Sequence, residues 1–140
     1  MKKKPNSGIL WDIMEQWLSD TARYLEASYG LASGFARDIA RLLAYLYQYG
    51  LNPRVTSGWR DPAKQKAMQK RWDAGDRAGL RARPAADSLH SAESWGRPAA
   101  QAIDIVTSNE QLAAQIARAL KIGAGLDFKN PDPGHYYSKG

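Results

Sequence analysis

The 140 residues include two histidines, His90 and His135. Neither sits on a periodic apolar face. His90 lies in a polar stretch, Asp87-Ser-Leu-His-Ser91, and His135 follows a Pro/Gly turn. Asp104 interrupts the apolar run Ala102-Ile-Asp-Ile-Val106. A carboxylate inside an apolar strand needs a cation, several donors or a metal. Two imidazoles and one carboxylate suffice for a catalytic zinc site, since three protein ligands leave the fourth position to water. The same residues admit plainer readings. Loop histidines are commonly surface residues, and Asp104 can pair with Arg60 or Arg97 or face solvent from a one-sided sheet. The spacings are wide, and no compact motif such as H-E-x-x-H occurs. Cysteine is absent, which excludes a thiolate metal site, a cysteine nucleophile and a disulfide framework.

The elements that must carry these residues are legible in the hydrophobic spacing. Leu10, Ile13, Met14, Trp17, Leu18, Tyr24 and Leu25 predict an amphipathic helix over 9–26. Phe35, Ile39, Leu42, Leu43 and Leu46 predict a second over 33–49, with Gly50 as its left-handed cap and Pro53 shortly after. Arg54-Val-Thr-Ser57 predicts a strand. Asp61-Pro62 predicts a helix start, with Asp at the N-cap and Pro at the first helical position, running to about Trp72. Residues 73–88 read as mostly loop. Ala102–Val106 predicts a strand. Overlapping capping boxes at Thr107/Glu110 and Ser108/Gln111 open a helix over 109–121, whose core face is expected at Leu112, Ile116 and Leu120. Two short strands, Gly125–Phe128 and His135–Tyr137, flank the turn Asn130-Pro-Asp-Pro-Gly134. The order predicts one α+β domain over residues 1–140, with helices packed on a small, mainly antiparallel sheet.

The net charge is +6, from 20 Lys+Arg against 14 Asp+Glu. A basic surface attracts polyanions such as nucleic acid, anionic lipid or a cell-wall polymer. The excess concentrates at Lys2–Lys4 and in residues 60–83, which hold Arg60, Lys64, Lys66, Lys70, Arg71, Arg77, Arg81 and Arg83. A solvated face explains both clusters equally well. Nucleic-acid binding needs a stacking platform beside the basic residues, and only Trp72 lies within that stretch, so no nucleic acid is expected. No run of 18 apolar residues occurs, so no transmembrane segment is expected. Lys2–Lys4 is not followed by an uninterrupted apolar region, so no cleaved secretory signal is expected.

Four pieces occur in order: Val55-Thr-Ser-Gly-Trp-Arg-Asp-Pro-Ala63, Ser88-Leu-His90, Ala102-Ile-Asp104-Ile105, and Asp132-Pro-Gly-His135-Tyr-Tyr137. Together they resemble the zinc peptidases that cleave peptidoglycan stem peptides. That family groups D-alanyl-D-alanine carboxypeptidases and dipeptidases with phage L-alanyl-D-glutamate endolysins. Its pattern is S-G-[YW]-R, then S-x-H-x-x-G-x-A-x-D, then [DE]-x-x-H. The likeness spans residues 33–138, leaving 1–32 as a helical extension.

The resemblance implies Zn2+ held by His90, Asp104 and His135, with Asp132 as general base and Arg60 facing the scissile carbonyl. Ser57 and Ser88 match motif serines with supporting roles. Asp127 is a reserve base or, more simply, a surface carboxylate. Trp59, Trp95, Tyr136 and Tyr137 could line a substrate groove or belong to the core. Two departures stand out. The family places its Asp seven residues after its His, whereas Asp104 follows His90 by fourteen. Counting back seven reaches Arg97, which cannot be a ligand, so Ser91-Ala-Glu-Ser-Trp-Gly-Arg97 reads as an insertion. Residues 91–100 are then expected to form an exposed loop beside the metal. Tyr137 stands where the family often has an acidic residue. The implied function is hydrolysis of peptidoglycan stem peptides by a monomeric phage or prophage lysis enzyme, released through a holin-type pore. A degenerate wall-binding module of the same fold is the alternative.

Overall fold

The structure, a computed structural model, describes residues 8–80, 83–84 and 88–140. Lys2–Lys4, Arg81 and Asp87 lie outside the described residues. Two N-terminal helices, α1 (Gly8–Tyr29) and α2 (Ser33–Gln48), are followed by β1 (Arg54–Ser57) and α3 (Pro62–Asp73). A 3-10 turn at Leu89–Ser91 leads into a hairpin of β2 (Glu93–Ser94) and β3 (Arg97–Pro98). Next come β4 (Ala102–Val106), α4 (Glu110–Ala119), β5 (Gly123–Ala124), a 3-10 turn at Gly125–Asp127, and β6 (His135–Tyr137). The main sheet has strand order β1-β4-β6-β5, antiparallel throughout. The expected α+β architecture is therefore the observed one.

Helix α2 supplies most of the core. Phe35, Ala36, Ile39, Ala40, Leu42, Leu43 and Leu46 are all buried along it. They meet Ile103 and Ile105 of β4, Tyr136 of β6 and the alanines of α4. Its end closes as the sequence predicts. Gly50 has φ 69°, the Gly50 N–H donates to Tyr47 O at 3.0 Å, and the Leu51 N–H donates to Leu46 O at 2.9 Å. Those two bonds satisfy carbonyls that would otherwise be orphaned at the helix end. Asp61 caps α3 by accepting the Ala63 N–H at 2.9 Å.

Five expectations need correction. In α1 only Ala22 and Leu25 are buried. Ile9, Leu10, Ile13, Met14 and Tyr24 are exposed. Trp17 packs edge-on against Tyr47, while Glu15 pairs with Arg37 ten residues earlier on α2. The first half of α1 therefore lies against α2 with most of its apolar side chains left open to solvent. In α4 the fully buried positions are Ala113, Ala114 and Ala117. Leu112, Ile116 and Leu120 pack at the flanks, because the alanines let the helix approach closely. The N-cap is Asn109, which accepts from Leu112 N–H at 3.0 Å. Only the return half of the Thr107 box forms, with Glu110 accepting from Thr107 N–H at 3.2 Å.

The strand expected at Gly125–Phe128 is displaced to Gly123–Ala124. The Gly125 carbonyl accepts both the Phe128 N–H at 3.0 Å and the Asp132 N–H at 2.9 Å, which folds the chain back on itself. Gly123 is required where it stands, because a Cβ there would collide with the Tyr137 ring. Finally, residues 93–98 form a two-stranded hairpin instead of an irregular loop.

Candidate metal centre

Strand parity decides which side chains face the site. Ile103 and Ile105 point to the helices, so Ala102, Asp104 and Val106 face the other way. In the β4–β6 register Asp104 lies opposite His135, and Ile103 opposite Tyr136. Asp104 thus leaves the apolar strand on its open face and lands beside an imidazole. On its other side β1 carries an irregularity between Val55 and Ser57 that sets Ser57 opposite Asp104. The turn before β6 positions the remaining residues. Gly134 has φ 84°, and its carbonyl accepts the Ile105 N–H at 2.7 Å. That brings His135 and Asp132 to the same edge.

His90 arrives from the 3-10 turn at Leu89–Ser91. The Ser88 hydroxyl accepts the His90 N–H at 3.1 Å, and the His90 carbonyl accepts the Arg60 N–H at 2.7 Å. The ring is buried, and its Nδ1 lies 2.8 Å from the Gly58 carbonyl oxygen. A carbonyl can only accept, so Nδ1 carries the hydrogen and a neutral ring leaves the Nε2 lone pair facing inward. An outer hydrogen bond of this kind fixes a metal-ligating tautomer.

Three donor atoms converge. His90 Nε2 is 3.3 Å from His135 Nδ1, His135 Nδ1 is 3.1 Å from Asp104 Oδ1, and His90 Nε2 is 3.5 Å from Asp104 Oδ1. A tetrahedral ion with bonds of about 2.0–2.1 Å has ligand–ligand edges of about 3.3–3.4 Å. The triangle has the size of one face of that tetrahedron. Its chemistry fits as well, since two imidazoles and a carboxylate are a hard-to-borderline set suited to zinc. Among the described residues these three could hold a metal ion. Burial opposes the charge on Asp104, but its contacts with the His135 and His90 rings outweigh it. Its carboxyl is held well below the usual range.

Arg60 stands at the edge of the triangle. Its Nη2 donates to Asp104 Oδ2 at 3.0 Å and its Nε to Ser57 Oγ at 3.2 Å. One oxygen of Asp104 thus faces the two imidazoles and the other the guanidinium; Arg97, the other suggested cation, is exposed on the hairpin. Asp132 Oδ2 is 3.9 Å from His135 Nδ1, on a half-exposed side chain. Asp127 is exposed and paired with Arg118 at 2.7 Å, the plainer of its two readings. Tyr136 is buried in the core and lines no groove. Tyr137 does face the site, its ring stacked on His135 at 5.9 Å. Phe128, which the sequence offered only as a strand end, lies 5.7 Å from His135 and 5.3 Å from Tyr137.

The basic stretch is largely occupied with itself. Arg71 pairs with Asp76 at 3.0 Å, Arg83 pairs with Asp73 at 2.9 Å, and Arg77 lies over the Trp72 ring at 4.1 Å. Lys64, Lys66 and Lys70 are exposed on α3. No helix among the described residues is long and apolar enough to cross a membrane.

No family model matches the chain, and no curated protein matches it. Among solved structures it is similar to the crystal structure of the Serratia marcescens L-Ala D-Glu endopeptidase ChiX. The TM-score is 0.50 and the identity 21%, over 88% of this chain and 86% of that one. At that identity the likeness is one of fold, and this chain shares the α+β fold of that endopeptidase over most of both lengths.

Proposed function

We propose that the chain is a zinc-dependent peptidase that hydrolyses peptide bonds in bacterial peptidoglycan stem peptides. The observation that carries this reading is the convergence of His90, Asp104 and His135 within 3.1–3.5 Å of one another, with Asp132 three residues before His135. Similarity of fold to an L-Ala D-Glu endopeptidase adds support. His90 Nε2, Asp104 Oδ1 and His135 Nδ1 would hold the ion. Zinc bound there supplies a water of lowered pKa and polarises the scissile carbonyl.

The other residues take roles from their geometry. Asp132 is close enough to remove a proton from a water at the triangle and return it to the leaving amine. Arg60 uses Nη2 and Nε to hold Asp104 and Ser57, which leaves further N–H groups for a developing oxyanion. Gly58 and Ser88 hold the His90 ring and backbone. The setting we propose is a phage or prophage lysis enzyme that acts as a monomer, with residues 33–138 as the peptidase core and 1–32 as an extension.

The test is digestion of purified peptidoglycan by the chelator-treated chain with and without added zinc, followed by mass spectrometry of the fragments. A new terminus at one stem-peptide bond, formed only with zinc, is the expected result and names the bond. Zinc binding with every stem-peptide bond intact would refute the peptidase and leave a wall-binding module. Arg60→Ala should lower turnover about 10²–10³-fold while zinc is retained.

A further inference from the structure

The β2–β3 hairpin leaves the chain directly after His90 and returns just before Asp104. Its two-residue turn is Trp95-Gly96, between the paired Ser94 and Arg97. Both turn residues have positive φ, 54° at Trp95 and 72° at Gly96. This is the type I′ geometry, for which Asn-Gly is the favoured dipeptide. A tryptophan in the left-handed region is costly, because its Cβ crowds the backbone. Nor does the ring recover that cost by packing, for Trp95 is 99% exposed. Local sequence and local conformation therefore conflict here, and such conflicts mark functional positions.

The base of the hairpin is firmly held. The Ala99 N–H donates to Ala92 O at 2.9 Å and the Gln101 N–H to Leu89 O at 2.9 Å. Ala100 N–H bonds Gly30 O at 2.8 Å, and Ala32 N–H bonds Ala100 O at 3.0 Å. The indole is thus presented on a short rigid arm, which lowers the ordering cost of using it. Trp95 is five residues from His90, within about 18 Å along the chain.

We propose that Trp95 is a sugar-stacking contact that holds an N-acetylhexosamine ring of the glycan strand while the attached peptide crosses the metal triangle; this rests on the reading of the site as a peptidoglycan peptidase. The flanking residues favour a sugar. Glu93, Ser94 and Arg97 are neighbours of Trp95 along the hairpin and are exposed. Inserting the tip into a bilayer would strip water from Glu93 and Arg97, which is unfavourable. A pyranose instead offers an apolar C–H face to the indole and hydroxyl and acetamido groups to the side chains beside it.

The test uses the full chain and a β-1,4-linked N-acetylglucosamine tetramer, which carries no peptide. Titration is followed by the backbone amide N–H signals in two-dimensional NMR, which all variants retain. The control variant is Trp95→Asn, since Asn-Gly preserves the turn while removing the ring. Loss of one ring face of about 75–125 Å² should weaken binding about 20–200-fold, and Trp95→Tyr should restore part of it. With intact sacculi as substrate, Trp95→Asn should raise KM and leave kcat unchanged, while cleavage of a free stem peptide stays at the wild-type rate. Absence of tetramer binding, or equal binding by wild type and Trp95→Asn, would overturn the proposal. So would Trp95-dependent binding to phosphatidylglycerol vesicles in place of the sugar. Trp95-dependent sugar binding by a chain that cuts no peptide would leave this contact standing and overturn the peptidase reading alone.

Discussion

Replacing Asp104 by Asn separates a metal site from an ordinary ion pair. In the wild type, zinc that binds only the folded chain stabilises it by RT ln(1 + [Zn]/Kd), about 2.7 kcal/mol at a hundredfold excess over Kd. For a chain of 140 residues each kcal/mol moves Tm by about 3–5 °C, so the shift should be about 8–14 °C. Asn keeps the shape of the side chain but loses the anionic donor that lies 3.1 Å from His135 Nδ1. If that weakens Kd about a hundredfold, the same zinc concentration equals Kd and the stabilisation falls to about 0.4 kcal/mol, or about 1–2 °C. Asp132→Asn is the matched control. Its carboxylate is 3.9 Å from the same nitrogen and half exposed, so the zinc shift should persist within about 2 °C while turnover is lost. The assay is a thermal melt of chelator-treated protein against zinc for all three chains. An undiminished shift in Asp104→Asn, or a shift lost equally in Asp132→Asn, would refute the assignment of ligand and base.

Gly123→Ala should lower Tm and cost about 1–3 kcal/mol by denaturant melt, because the new methyl meets the Tyr137 ring. Asn109→Ala should cost about 1 kcal/mol, read the same way, by removing the α4 cap. Burial, with the Glu110 carboxylate adding to it, pushes the Tyr136 phenol well above its usual range. The unfolded chain ionises near pH 10 while the native chain does not, so this contribution is complete below about pH 10 and fades as pH rises. Melts from about pH 8 to 11 should therefore show a shallower alkaline loss in Tyr136→Phe than in the wild type.

The sequence alone determined the pieces. Periodicity and end signals located α2, with Gly50 closing it, and Asp61-Pro62 opening α3, because caps and helical spacing are local properties. Composition removed every thiol chemistry. The two histidines and the misplaced aspartate marked the candidate donors, because each is a residue type that a core avoids. The tertiary structure decided what those donors do. Asp104 looked like a buried charge in an apolar strand, yet strand parity turns it away from Ile103 and Ile105 and toward His135. Register, not sequence spacing, makes residues 31 apart into neighbours 3.1 Å apart. The hydrogen bond that aims His90 comes from Gly58, 32 residues away, and no local pattern encodes it. The hairpin of 93–98 escaped notice for a related reason. Its strands are two residues each, too short for a period of two to register, and its turn carries Trp where Asn was the signal to look for. The exposed first half of α1 was equally hidden, because an apolar stripe specifies a face but not whether a second helix is long enough, or aligned enough, to cover it.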